Sequence, residues 1–221
     1  MKLLISALCK FLCGVALVGV MIFLPAGTLA FAGGWLLMGI LFVPMLIAGF
    51  VMLFKSPEFL EKRLDAKEKQ AAQKGVLAAS GLMFVGGFVV CGLDHRFGWS
   101  VMPEAVSWIA TALFLLAYLL YAEVMRENAY LSRTIKVEAG QTVVDTGLYG
   151  IVRHPMYMAT LLLFLMIPLV LGSWYGLLVF AAYPAIIIVR LKDEEKLLSR
   201  ELAGYAEYQK KVKYRLIPFV W

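Results

Sequence analysis

The stretch RHPMYMATLLLFLMIPLVLGSWYGLLVFAAYPAIIIVR, residues 153–190, decides how the rest of the chain is read. Its apolar part, about 156–189, is too long for one crossing, because about 20 mainly apolar residues already span a bilayer core. Pro168, Gly172 and Pro184 break it. These breaks predict a helical hairpin that enters and leaves on the same side, with Arg153 and His154 at one mouth and Arg190 at the other. Ionisable groups at the edge of a hydrocarbon segment are costly, so a use is expected of them.

Outward from the hairpin, four further stretches reach crossing length, at about 3–24, 33–54, 75–93 and 105–124. The 221 residues are 62% hydrophobic and 16% charged, a membrane protein's composition. The predicted fold is all-α: a polytopic membrane protein with about four single spans, a C-terminal helical hairpin and a cytoplasmic amphipathic tail helix. Lys10 interrupts the first apolar run, which is longer than a signal peptide's core and is followed by more spans, so a retained first span is expected.

The net charge of +6 follows topology rather than a patch. Six of the 21 basic residues lie between Lys55 and Lys74, four between Arg126 and Arg153, and eight from Arg190 to Arg215. The intervening connections around 25–32, 94–103 and 168–174 hold only Arg96. By the positive-inside rule the rich loops, the tail and the N-terminus share the cytoplasmic face. The basic excess therefore points to lipid headgroups and excludes nucleic acid as a partner. Cys9, Cys13 and Cys91 are odd in number, lie in apolar text and lack metal-type spacing, so neither a disulfide framework nor a metal site is expected. With Lys10 the main polar residue inside the first four spans, a transporter or channel is a weak reading.

The chain divides into spans at 1–124, with a charged connector at 55–74, and a region at 125–221 that holds nearly all the polar groups able to act. The connector's alternating Lys and Glu predict a solvated surface helix without chemistry. His95, grouped with Asp94 and Arg96, is expected in a short outer loop. In QTVVDTGLYGIVRHP, residues 141–155, a short extended piece and a turn at Asp145–Gly147 run into a helix that starts at Pro155. His154 then falls at the N-cap, and unpaired N–H groups with Arg153 and Tyr149 predict an anion site. After the hairpin, Arg190 and Glu194 are four apart and share a helix face with Leu191, Leu198, Leu202, Tyr205 and Tyr208. That charged pair is aimed inward, either as an ion pair closing the hairpin or as part of a site.

Gly147-x-Tyr149-x-x-x-Arg153-His154-Pro155-x-Tyr157, then Arg190-x-x-x-Glu194-Glu195, Tyr205-x-x-Tyr208 and Arg215-Leu216-Ile217-Pro218 resemble the isoprenylcysteine carboxyl methyltransferase family and its phospholipid methyltransferase relatives over roughly residues 121–221. The resemblance implies S-adenosylmethionine as methyl donor at the cytoplasmic mouth of the hairpin and makes 125–221 the catalytic region. It implies that Gln141, Thr142, Val143, Val144, Tyr149, Arg153, His154 and Glu194 hold the cofactor. Arg190 and Tyr157 would face the acceptor, with Arg190 and Glu194 as the catalytic pair. At Gln141 the eukaryotic members have a histidine.

The donor carries a sulfonium, an ammonium and a carboxylate, so its site needs a carboxylate and an anion site together. Glu194 and the 153–155 helix start supply these types. A carboxylate acceptor needs no base, and Arg190 could hold it by a forked pair of hydrogen bonds. An amine acceptor must first lose a proton, for which Glu194 or Glu195 is nearest. The expected partners are thus membrane lipids and a lipophilic or prenylated substrate. The expected setting is a multi-pass protein of a cytoplasmic or inner membrane, or of the endoplasmic reticulum in a eukaryote, active on the cytoplasmic side. Membrane sterol reductases share a His-Pro-x-Tyr pattern and use NADPH, which leaves a second enzyme class open. No Gly-rich strand-to-helix turn of the soluble dinucleotide-binding type occurs; the glycine pairs at 33–34 and 86–87 lie inside spans, where close helix packing is expected.

Overall fold

The structure, a computed structural model, describes residues 2–64, 71–131 and 137–221. Among these the fold is helical throughout, without strands. Helices α1 (Lys2–Ala26), α2 (Ala32–Lys55), α4 (Ala71–Phe97) and α5 (Glu104–Glu127) are the four single spans, each a few residues longer than its apolar core. Between α2 and α4 lies the short α3 (Pro57–Leu64). The hairpin follows as α6 (Pro155–Val170), a turn at 171–173, α7 (Trp174–Phe180) and α8 (Tyr183–Glu201). A last short helix, α9 (Tyr205–Lys211), precedes the C-terminal coil. Five helical stretches, with α7 and α8 running on as Trp174–Glu201, are long and apolar enough to cross a membrane, and α6 is a shorter apolar helix.

The outer surface explains why the chain needs lipid. Leu17, Leu24, Phe54, Leu82 and Leu119 are each at least 60% exposed. Holding such side chains in water costs about 25 cal/mol per Å² of apolar surface, so this belt belongs in hydrocarbon and the protein is an integral membrane protein. The interior is a main apolar cluster in which Ile22, Phe114, Ile167, Phe180 and Leu191 have almost no exposure, with two smaller clusters around Tyr205 and Tyr149. The glycine pair at 86–87 serves packing as expected: a Cβ on Gly87 would lie 2.4 Å from the Phe180 ring.

Four features differ from the sequence reading. The connector is not a purely solvated helix. In α3, Leu60 is buried, Lys62 Nζ donates to Glu138 Oε2 at 2.6 Å and Arg63 donates to the Tyr121 hydroxyl; connector residues 65–70 lie outside the described residues. Lys10 is not stranded at mid-depth, because its Nζ donates to the Leu64 carbonyl at 2.9 Å beside α3. Asp94, His95 and Arg96 form the last turn of α4 rather than a loop. Asp94 is buried and accepts from Ser100 N, Ser100 Oγ and Ser173 Oγ at 2.7, 2.6 and 2.5 Å, while His95 stacks on Phe31. Finally, the tail is two helical pieces, since Gly204 adopts φ +82° and ends the run between α8 and α9.

Candidate active site

At the basic-rich end of the bundle, the stretches 128–131, 141–157 and 194–208 meet around one cleft. The coil at 141–144, the 3-10 turn Gly147–Gly150, the start of α6 and the inward face of α8 line it, and α9 closes one wall with Tyr205 and Tyr208. The cleft therefore brings together Gln141, Thr142, Val143, Val144, Tyr149, Arg153, His154, Tyr157 and Glu194. It has a cavity volume of about 90 Å³. That is below the roughly 300–1,000 Å³ of small-molecule sites, so a nucleoside-sized ligand would extend through the open mouth.

Local chemistry dictates these positions. Pro155 starts α6 because a missing N–H costs nothing at the first helical residue, and His154 sits at the N-cap with φ −128°. Its carbonyl takes the amides of Tyr157 and Met158 at 3.1 and 3.2 Å. The C-terminal coil then runs alongside: Arg153 N donates to Tyr214 O and His154 N to Arg215 O, both at 2.9 Å. These bonds tie the start of α6 to the C-terminal coil.

Arg153 is likewise engaged. It is 8% exposed. Its Nε donates to Glu195 Oε1 at 2.7 Å, and its Nη1 donates to Val212 O at 2.7 Å and Lys213 O at 3.1 Å. Glu195, 6% exposed, also accepts from Arg215 Nε at 3.0 Å and lies 3.3 Å from His154 Nε2. Glu195 is thus the buried counter-ion that docks the tail, a role set by residues distant in the chain and not by its local pattern.

Its neighbour points the other way, since consecutive residues on a helix are about 100° apart. Glu194 lines the cleft and accepts from the Tyr157 hydroxyl at 2.6 Å; its Oε2 is 4.0 Å from His154 Nδ1. The same hydroxyl accepts from Arg190 Nε at 3.0 Å. Arg190 therefore stands behind the cleft wall, linked to Glu194 through Tyr157. Its Nη1 reaches Gln73 Oε1, on α4, at 3.4 Å.

Three tyrosines finish the wall. Tyr208 donates to the Tyr149 carbonyl at 2.7 Å, and Tyr149 Oη accepts from Asn128 Nδ2 at 2.9 Å. The Tyr205 hydroxyl is buried with no hydrogen-bond partner among the described residues. Burial raises all three phenols above their ordinary range, so they stay protonated through neutral pH. Outside the cleft, Lys211 Nζ pairs with Asp145 at 2.7 Å and holds that carboxyl below its usual range. Among the described residues, no three His, Cys, Asp or Glu side chains are grouped to hold a metal.

A helical membrane protein whose hairpin mouth gathers a carboxylate, a tyrosine bridge and an arginine is the class that fold and site define. Residues 108–200, from α5 nearly to the end of α8, match the model of the Isoprenylcysteine carboxyl methyltransferase (ICMT) family, a family of membrane methyltransferases. The matched segment includes Arg153, His154, Tyr157, Arg190 and Glu194, and stops before Tyr205 and the Arg215–Pro218 tail. The chain is also 33% identical over 91 residues to Delta(14)-sterol reductase TM7SF2 of Mus musculus, a match covering 40% of this chain and 22% of that relative. The chain thus spans about a fifth of that relative's length.

Proposed function

We propose that the protein is an S-adenosylmethionine-dependent methyltransferase that esterifies a lipophilic acceptor carrying a carboxylate, of the prenylcysteine type, at the cytoplasmic membrane surface. The observation that carries this is the Tyr157 hydroxyl, which accepts from Arg190 at 3.0 Å and donates to Glu194 at 2.6 Å. One residue for a cationic ligand and one for an anionic ligand are coupled through a single oxygen.

The cleft residues suit the donor's chemistry. Glu194 offers a carboxylate to a sulfonium or ammonium, and the Tyr205 hydroxyl offers a hydrogen bond that no protein group among the described residues takes. When bound, S-adenosylmethionine supplies an electrophilic methyl group on a positively charged sulfur. Tyr157 orients Glu194 by donating to it, and Tyr149 and His154 line the wall nearby. Gln141, Thr142, Val143 and Val144 form the facing edge, and Val143, Val144, Leu198 and Leu202 shield the cleft from water. Arg153, whose donors serve Glu195 and the tail, contributes by fixing the start of α6. Arg190 receives the acceptor's carboxylate, which is already ionised and needs no base. Alignment of the two ligands accounts for most of the rate.

Commitment of Glu195 to Arg153 and Arg215 favours the carboxylate acceptor over an amine, because it removes one of the two candidate bases. The reductase reading keeps one observation in its favour, the similarity to Delta(14)-sterol reductase over 91 residues. The test is direct. Purified protein in nanodiscs is incubated with methyl-labelled S-adenosylmethionine and an N-acetyl-S-prenylcysteine, and base-labile label is counted in the lipid phase. Glu194→Gln should lose at least about a hundredfold in rate and weaken donor binding, as expected when a half-buried charge-assisted contact goes. Binding of NADPH but not S-adenosylmethionine, or equal rates in Glu194→Gln and the parent, overturns the proposal.

A further inference from the structure

Gln73 stands in one of the most polar stretches of the sequence, yet it has no solvent exposure. Its two amide ends serve different partners on α8. The nitrogen donates to Asp193 Oδ2 at 3.2 Å, and the oxygen accepts from Arg190 Nη1 at 3.4 Å. The orientation of the amide is forced, because an ionised carboxylate only accepts and a guanidinium only donates. Asp193 thereby fixes which end of Gln73 faces Arg190. Arg190 is then held at two different nitrogens, Nη1 by Gln73 and Nε by the Tyr157 hydroxyl. Two anchors at different corners define the plane of a guanidinium, and forked recognition of a carboxylate depends on that plane.

We infer that Gln73 is a positioning residue for the carboxylate-bearing acceptor, acting through Arg190 from a helix outside the segment that carries the family pattern. The inference rests on the reading of Arg190 as the acceptor-side residue. Gln73 does not line the cleft and reaches Glu194 only through Arg190 and Tyr157, so its effect falls first on the acceptor side. Replacing it by methionine keeps volume and burial and removes both polar ends. Replacing it by glutamate keeps an acceptor oxygen that holds Arg190 in place, but adds a charge that competes with the acceptor's carboxylate.

The experiment uses full-length protein in nanodiscs with two readouts. With labelled S-adenosylmethionine and an N-acetyl-S-prenylcysteine, Gln73→Met should raise the acceptor KM about tenfold, the scale of one hydrogen bond to a charged group. The donor Kd should stay within about twofold, and Gln73→Glu, which holds Arg190 but competes with the acceptor's carboxylate for its charge, should raise the acceptor KM at least as far. In ligand-free protein, the ¹⁵Nε signal of Arg190, assigned by its loss in Arg190→Lys, should shift in Gln73→Met and return toward the parent position in Gln73→Glu. An unmoved Arg190 signal overturns the inference, and so does a parallel rise of donor Kd and acceptor KM. If the parent binds no S-adenosylmethionine, the methyltransferase reading falls, and the Arg190 signal still decides whether Gln73 sets that side chain.

Discussion

Removing Glu195 should release the C-terminal tail while leaving the spans intact. The carboxylate is 8% exposed at its side chain and faces Arg153 Nε at 2.7 Å, Arg215 Nε at 3.0 Å and His154 Nε2 at 3.3 Å. Glu195→Ala leaves the buried Arg153 guanidinium without its counter-ion and the partly exposed Arg215 without its partner. Breaking a buried pair from one side costs about 3–5 kcal/mol. The loss concentrates where Arg153 and Arg215 act, at the seam between residues 153–154 and 212–215. Local opening of 205–221 should therefore become on the order of a hundredfold more frequent or greater, since each 1.36 kcal/mol is a factor of ten. Hydrogen exchange read by mass spectrometry on the 205–221 peptide measures this, with peptides from α1 and α5 as internal controls. Arg126→Ala serves as a comparison, because its pair with Glu123 leaves Arg126 68% exposed and such surface pairs contribute at most about 1 kcal/mol. Exchange in Glu195→Ala equal to the parent, or equal to Arg126→Ala, refutes the idea that Glu195 docks the tail.

Tyr157→Phe removes the oxygen shared by Arg190 and Glu194 and should lower kcat/KM for methyl transfer about 10- to 100-fold, from the loss of hydrogen bonds to charged groups; steady-state kinetics in nanodiscs checks it. Gly87→Ala drives a methyl group into the Phe180 ring and should destabilise the α4–α7 contact by about 1–3 kcal/mol. Gly39→Ala, with nothing within 4 Å of its new Cβ, should cost nothing; thermal aggregation midpoints in one detergent compare the two. Asp145→Asn probes the exposed tie to Lys211. Because Lys211 lowers the Asp145 pKa, the tie contributes above the ordinary carboxylate pKa and is lost as pH falls through the lowered value. A small drop in melting temperature at pH 7 should vanish in acid, and also in about 0.5 M salt; a drop that persists at both would assign Asp145 another role.

The spans and the hairpin were legible because bilayer thickness imposes a length, and a length is read from one dimension. The helix start at Pro155 was legible for the same local reason. Tertiary choices were hidden. Asp94, His95 and Arg96 read as a loop because three polar residues ended an apolar run, yet Ser100 and Ser173 let Asp94 stay buried in the last helical turn. Arg153 carried the right type for an anion site, but the carbonyls that take its donors come from Val212 and Lys213, about 60 positions away. Gln73 gave no signal, since its partners on α8 are 117 and 120 residues distant.

The adjacent pair Glu194 and Glu195 shows why both acids are needed on one turn of α8. The tail supplies the wall with Tyr205 and Tyr208, so it must be pinned by something strong, and Glu195, which does not line the cleft, does this. Had the cleft's own carboxylate been the pin, its charge would be neutralised by Arg153 and Arg215 and lost to a cationic ligand. With Glu195 absorbing those two cations, Glu194 is met by a tyrosine hydroxyl instead, which orients a carboxylate without cancelling its charge. Exchanging the two roles by Glu194→Gln or Glu195→Gln should therefore give separable phenotypes. The first loses donor binding with a docked tail, measured by calorimetry beside hydrogen exchange. The second frees the tail and weakens donor binding only as far as the wall opens. Coincident loss of both properties in both variants would mean that the two acids form one unit and that this division of labour is wrong.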